Sequence, residues 1–322
     1  MTGWSDIQDS SFYEASARQR AFGLLDDGSF RELAGPEKRI TSPHLAALGE
    51  AVSFDDGVVT GVGTMGGRTA FVISQEGRFI GGSVGEAGGA KIVGIFQLAL
   101  SLYEKVKDRH PDDVETRAPL IVFSFESGGV RLQEANAGLL AHAEVMEQVQ
   151  RCRGKVPTIF VVGSRLGCFG GMGFIAVSGD VLIMSEQGRV GLTGPEVIEQ
   201  EMGKNEFDAS DRALIYRTTG GKHRTIMRDC AFLVSDTIRS FRTQILELAK
   251  LTCAQLQPYR CIGTLEHVLN QMSLVDLAVW LNPGDSMDVW KYFGNQNADR
   301  ISDMELDEFM HTVKLCPRKE ER

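Results

Sequence analysis

Long apolar stretches are missing from this 322-residue chain. Its densest runs, such as Pro119 to Phe123 and Ile159 to Val162, fall far short of the roughly 20 residues that cross a bilayer, so no helical membrane span is expected. Excess positive charge is missing too. With 34 Lys+Arg against 43 Asp+Glu the net charge is −9, which repels phosphate backbones and anionic lipid; neither nucleic acid nor membrane is an expected ligand. The six cysteines, Cys152, Cys168, Cys230, Cys253, Cys261 and Cys316, contain no C-x-x-C pair, which removes zinc-ribbon and thioredoxin chemistry. Cys152 sits between Arg151 and Arg153, yet a helix-end thiol in this setting reads as structural. His44, His110, His142, His223, His267 and His311 show no H-x-x-H or H-E-x-x-H spacing, so no metal is expected; His142, within an apolar helical stretch, reads as a packed core histidine. The opening MTGWSDIQDS carries neither the basic nor the apolar region of a secretory leader, and the cytoplasm is the expected compartment. A P-loop signature is also absent.

What is present is a globular composition, 43% hydrophobic and 24% charged, sufficient for one large domain or two small ones. Residues 14–33 carry apolar positions at helical spacing, and Pro36 and Pro43 mark a connector after them. Val58 to Thr64 and Arg68 to Ser74 flank Gly66-Gly67 and predict a hairpin. A strand or loop, a glycine pair and a helix then recur in 79–100, 121–140 and 159–177, with Gly81, Gly128 and Gly170 at intervals of 47 and 42 residues. This rhythm predicts an α/β superhelix of strand, turn and helix units with crossover connections. Strands follow at Asp180 to Ser185 and Arg189 to Leu192, and Pro195 stands at the first turn of a helix. After about residue 222 the glycine pairs cease, and 235–250 begins a C-terminal helical arm. The expected organisation is an N-terminal helical segment and connector (1–56), a core (57–222) and a C-terminal helical region (223–322), all within one structural domain.

Gly61-Val62-Gly63-Thr64-Met65-Gly66 satisfies G-x-G-x-x-G, but inside a hairpin it lacks the strand–turn–helix context of dinucleotide binding. Gly81-Gly82-Ser83-Val84-Gly85 matches a nucleophile elbow with His223 downstream, which opens a serine-hydrolase alternative using Ser83. Only Arg78-Phe79-Ile80 precedes that elbow, where a buried strand is needed. The glycine pairs suit another chemistry: backbone N–H groups exposed at a positive helix end can receive a developing oxyanion. Taken singly, a glycine pair needs no account beyond a tight turn, whereas three at near-constant spacing favour the oxyanion role.

FIGGSVGEAGGAKI, FESGGVRLQEA and GCFGGMGFIAVSGDVLIMSEQGRVGLTGPEVIEQ resemble, in order and spacing, the carboxyltransferase subunits of acyl-CoA carboxylases across about residues 57–222. Ser127 to Glu134 corresponds to that family's S-G-G-A-R-x-Q-E, and Gly194 to Gln200 to its G-P-x-V-I-E-Q. The resemblance implies a crotonase-like fold, a superhelix of ββα units. Within the family, WSDIQDSSFYEASARQRAFGLLDDGSFREL, EFDASDRALIYRTTGGKHR and MDVW look most like malonate decarboxylase β subunits, and the zinc ribbon usual in acetyl-CoA carboxylase β subunits is missing. That likeness implies decarboxylation of a malonyl thioester to acetyl thioester and CO2 through an enolate. The thioester is carried on an acyl carrier protein whose arm derives from dephospho-CoA.

By the family motif Gly128 and Gly129 are the first choice for the oxyanion hole and Gly170 and Gly171 the second. Gly81, Gly82, Ser83, Ser127, Arg131 and Gly194 are expected to bind substrate or the CoA-derived arm; for Arg131, pairing with Glu134 is favoured over orienting the substrate carboxylate. The likeness further implies no cofactor bound covalently to this chain and no metal. Its implied partners are a γ subunit of the same fold in a heterodimer, the acyl carrier protein, and an acyl-carrier transferase subunit as a further component. A biotin-dependent carboxyltransferase half is the alternative within the family.

Overall fold

Three runs of nearly unbroken apolar sequence, LIVFSF, TIFVV and VLIMS, need burial on both faces and form the centre of a parallel sheet. In the computed structural model, which describes residues 3–40, 42, 49, 56–261 and 265–317, they are strands β4 (Leu120–Phe125), β5 (Thr158–Val162) and β6 (Val181–Ser185). Before them come β1 (Arg31–Leu33), β2 (Val58–Met65) and β3 (Arg68–Gln75), and after them β7 (Phe232–Val234). The seven strands lie side by side in sequence order, β1–β2–β3 antiparallel and β3 to β7 parallel. Helices α1 (Trp4–Gln8) and α2 (Ala17–Leu24) precede the sheet. Crossovers are made by α3 (Glu86–Arg109), α4 (Asn136–Cys152) and α5 (Gly170–Val177), then by α6 (Pro195–Met202), α7 (Arg212–Thr219) and α8 (Gly221–Ile226). Helices α9 (Ile238–Leu248), α10 (Leu265–Leu281), α11 (Ser286–Tyr292) and α12 (Leu306–Thr312) form the C-terminal region.

Alternation along the strands divides the core. Ile121, Phe123, Phe125, Phe160, Val162, Leu182 and Met184 join one buried cluster with residues of α3, α4 and α5 and with Trp290 and Phe309 of the C-terminal helices. Leu120, Val122, Ile159, Val161, Val181 and Ile183 face the other way, onto Phe12, Leu24, Phe241 and Ile245. The second strand of each expected unit is reduced to single parallel bridges, Val84–Val130, Ser127–Cys168 and Cys168–Val190, which stack the loops on one another.

Two expectations are corrected. Residues 14–33 are not helical throughout: α2 ends at Leu24, and Arg31–Leu33 is an edge strand paired with Thr60 to Val62. Arg189 to Leu192 makes bridges with Cys168 and Gly220 rather than a ladder strand, because the chain turns tightly at Gly188, where a Cβ would lie 2.2 Å from the Val162 carbonyl oxygen. The hairpin and the first-turn Pro195 are as expected. Pro43 and His44 lie outside the described residues. The sheet itself takes one strand from the N-terminal segment and one from the C-terminal region.

The N-terminal helix is tied to the sheet by a buried ion pair. Arg20, fully inaccessible, donates through Nη2 to Glu126 Oε2 (2.6 Å) and to the Gln75 carbonyl (2.5 Å), while Glu126 Oε1 accepts from Leu166 N–H (3.3 Å). Removing one member of such a pair strands a charge. Arg20→Met is expected to lower the urea-unfolding free energy by about 3–5 kcal/mol, and Arg20→Met with Glu126→Gln by less. A loss under about 1 kcal/mol in the single variant would contradict this role.

Candidate active site

The loops that leave β3, β4 and β5 meet where their glycines allow backbones to touch. Gly128 N–H donates to the Gly81 carbonyl (2.9 Å), and Ser127 Oγ donates to the Gly82 carbonyl (2.7 Å) while accepting from Gly129 N–H (3.0 Å). A Cβ on Gly82 would lie 2.1 Å from the Glu126 carbonyl oxygen, and one on Gly129 3.1 Å from Gly170 Cα. Gly82, Gly129 and Gly170 also hold positive φ (62°, 110° and 62°), a backbone region open to glycine. The three glycine pairs seen as a rhythm in the sequence are thus one cluster in space.

Their N–H groups are used differently from the expectation. Gly128 and Gly129 donate within the cluster, and Gly170 donates to the Leu192 carbonyl (2.8 Å). These three glycines build the junction rather than offering free donors to it. Among the described residues, the N–H groups at the junction without an acceptor include those of Gly81, of Val130, directly after the second glycine pair, and of Gly171 and Met172 in the first turn of α5. The latter two lie at the positive end of the helix. Val130 escaped sequence reasoning because a backbone donor leaves no mark in residue type.

Buried completely, Arg131 pairs with Glu134 (Nη1 to Oε1, 3.0 Å) and donates to the carbonyls of Asp56 (3.0 Å) and Ser83 (2.7 Å), so its guanidinium is engaged within the chain. Glu134 in turn accepts from Glu86 N–H at the start of α3 (2.7 Å). Gly194 caps α6 and has only the Glu196 side chain near a built Cβ, apart from the glycine junction. His142 lies against the junction: a Cβ on Gly171 would meet its Cδ2 at 2.5 Å. A cavity of about 230 Å³ beside α5 is lined by Gly173, Phe174, Gly191, Leu192 and Arg224, and Leu132, Leu139, Leu140, Phe174 and Leu192 around the junction are exposed. No cluster of three metal-ligating side chains occurs among the described residues. Burial pushes the Cys152 thiol up to about 12, away from nucleophilic use. No helix among them is long and apolar enough to cross a membrane.

Comparison with known proteins places this arrangement. The carboxyl transferase domain family matches residues 14–235. Malonyl-S-ACP:biotin-protein carboxyltransferase MADC of Malonomonas rubra is 57% identical over 98% of this chain and 99% of its own length. The methylmalonyl-CoA carboxyltransferase 12S subunit of Propionibacterium freudenreichii subsp. shermanii is 32% identical over 71% of this chain, which spans 41% of that larger protein. A Pseudomonas malonate decarboxylase hetero-tetramer solved with malonate superposes with a TM-score of 0.68 at 40% identity, over 74% of this chain and 83% of that one. The Pseudomonas MdcD–MdcE hetero-dimer gives 0.58 at 36% identity, over 74% and 87%. The fold and the glycine junction define a crotonase-like acyl-thioester enzyme. The chain belongs to the carboxyl transferase domain family, in the group that contains carboxyltransferases and malonate decarboxylases.

The serine-hydrolase alternative finds no support. Ser83 Oγ donates to the Ile80 carbonyl (2.7 Å), and His223 instead accepts from Trp290 Nε1 at its Nδ1 (3.2 Å). Burial, reinforced by Arg224, holds the His223 imidazole down at about 3 against an ordinary 6.5, so it stays neutral in the fold. The unfolded chain then binds the extra proton below about 6.5, and stability is lost as pH falls from there toward 3. Urea midpoints at pH 7 and pH 4.5 are expected to differ less in His223→Gln than in the wild type; an unchanged difference would reject this contribution.

Proposed function

We propose that this chain is the β-type subunit of a malonyl-thioester decarboxylase and binds the thioester at the glycine junction. The reading is carried by the N–H groups of Val130 and Gly171, both without an acceptor, on the β4 and β5 loops whose backbones touch at Gly129 and Gly170. Loss of carboxylate from a malonyl thioester moves an electron pair onto the thioester oxygen as an enolate. Fixed N–H donors favour that charge more than the ground-state carbonyl and need no reorganisation, each contributing roughly 3 kcal/mol to the transition state. No covalent nucleophile is called for, in keeping with the engaged Ser83 and with Cys152 and Cys168, whose thiols burial holds protonated. CO2 leaves, the α-carbon is protonated, and acetyl thioester remains.

The substrate under this reading arrives on an acyl carrier protein with a dephospho-CoA-derived arm, loaded by an acyl-carrier transferase subunit. Arg78, Arg165, Arg189 and Arg212, together with Glu14, Glu76 and Glu126, line a second cavity, of about 450 Å³, whose arginines would pair with the arm's phosphates. The exposed apolar side chains around the junction fit coverage by a γ-type subunit of the same fold, which completes the site. A second reading, transfer of the carboxyl group to biotin on another subunit, is favoured by the name of the Malonomonas relative. It shares every step up to the enolate.

Two measurements test the reading. In the assembled complex, Val130→Pro removes the donor and is expected to lower kcat about a hundredfold, whereas Val130→Ala keeps the N–H and stays within a few-fold of wild type. Equal rates in folded, assembled variants would overturn the oxyanion assignment. Avidin is expected to leave malonyl-thioester turnover intact; its abolition would assign the carboxyl group to biotin.

A further inference from the structure

Helix α10 (Leu265–Leu281) is apolar on two sides, and only one of them faces the protein. Its inner side rests on the core through the half-buried Leu274 and Leu277. On the outer side Leu265, Val268, Met272, Val275 and Val279 recur at intervals of three and four residues, each between 47% and 78% exposed. That spacing is the period of 3.5 residues by which one helix packs along another, and at 1.5 Å per residue the seam is about 25 Å long. Leu269 and Trp280 widen it, and Tyr292 of α11, its ring 6.1 Å from that of Trp280, carries it onto the next helix. An exposed apolar strip of this extent marks a contact surface.

The surroundings of the strip say what covers it. Gln271, on the flank of α10, lines the cavity beside α5 together with the exposed Phe174 and Leu192, so the strip continues the rim of the glycine junction. A subunit that closes the junction meets α10 as well. So apolar a surface suits a permanent neighbour, whereas a carrier protein that must leave after each turnover uses a more polar one. Asp276 stands exposed on the seam, one helical turn from Met272 and from Val279, and α10 has Glu266 besides but no Lys or Arg. Pairing two copies of this chain through α10 would set that carboxylate against an apolar side chain or against the other Asp276, with no cation on either helix to meet it. The face therefore fits a different chain, one that offers a basic residue.

We propose that α10 is the docking helix for the γ-type subunit, receiving an apolar helix of that subunit along its outer face with a Lys or Arg opposite Asp276. The proposal rests on the decarboxylase reading, which supplies that subunit, and it extends the contact from the junction to the C-terminal region.

The test measures binding of the purified γ-type subunit to the full chain by calorimetry, with light scattering on each sample. Met272→Asp combined with Val275→Asp is expected to raise Kd about a hundredfold or more, while far-UV dichroism and melting stay at wild-type values because both side chains are exposed. Asp276→Lys is expected to raise Kd about tenfold at low salt and by less at high salt, and Asp276→Asn to have the smaller effect. Binding of the double variant within about threefold of wild type, or of Asp276→Lys as tightly as wild type, would overturn the proposal. So would a wild-type homodimer that the double variant turns into a monomer. Failure of wild type to bind the γ-type subunit at all would instead overturn the subunit reading beneath it. Should the double variant misfold, amide hydrogen exchange across 265–281 in the wild-type chain decides: it is expected to slow on complex formation, and unchanged rates would reject α10 as the docking helix.

Discussion

Gly129 and Gly170 approach until a Cβ built on either would lie 3.1 Å from the other's Cα, and every other feature of the site depends on that backbone contact. It brings the end of the β4 loop against the start of α5, so that the first turn of that helix faces the residue after the glycine pair. The same closeness explains why the glycines' own N–H groups are spent internally: loops this near must satisfy one another's polar groups or leave them buried and unpaired. The next residues along, Val130 and Gly171, are among those whose donors remain open.

Charged groups hold this junction from behind. Arg131 and Glu134, both inaccessible, join the β4 loop to Ser83 and to the start of α3. Arg20 and Glu126 join α2 to the β4 and β5 loops on the opposite face of the sheet. Buried pairs of this kind contribute little net stability compared with an apolar filling, but breaking one is costly, so they fix position more than they add strength. The residues that make the family motif recognisable are thus in large part the scaffold of the site.

The sequence made the central architecture legible because burial on both faces of a parallel sheet requires apolar runs, and LIVFSF, TIFVV and VLIMS have no other stable use. Gly66-Gly67 and Pro195 marked a turn and a helix start through backbone chemistry that few other residues supply. Edge strand Arg31–Leu33 was hidden because a short strand half open to solvent carries no such pattern. The bridges of 189–192 were overread as a strand because single-residue contacts and ladders share the same composition. At the site the glycine rhythm located the junction but not its donors, since a peptide N–H is common to nearly every residue. His142 read correctly as buried, while its contact with Gly171 depended on a helix elsewhere in the fold.

A site whose working atoms are peptide nitrogens has an unusual relation to mutation. Replacing Val130 by most other residues leaves the donor in place, so an alanine scan would pass over it, whereas Met172, buried in the core, is held by packing as well. Sensitivity falls instead on the supporting glycines, where even one added methyl group intrudes on a neighbouring backbone or ring. The genetic record of such a site is the shape that surrounds it, written in residues that never meet the reacting atoms.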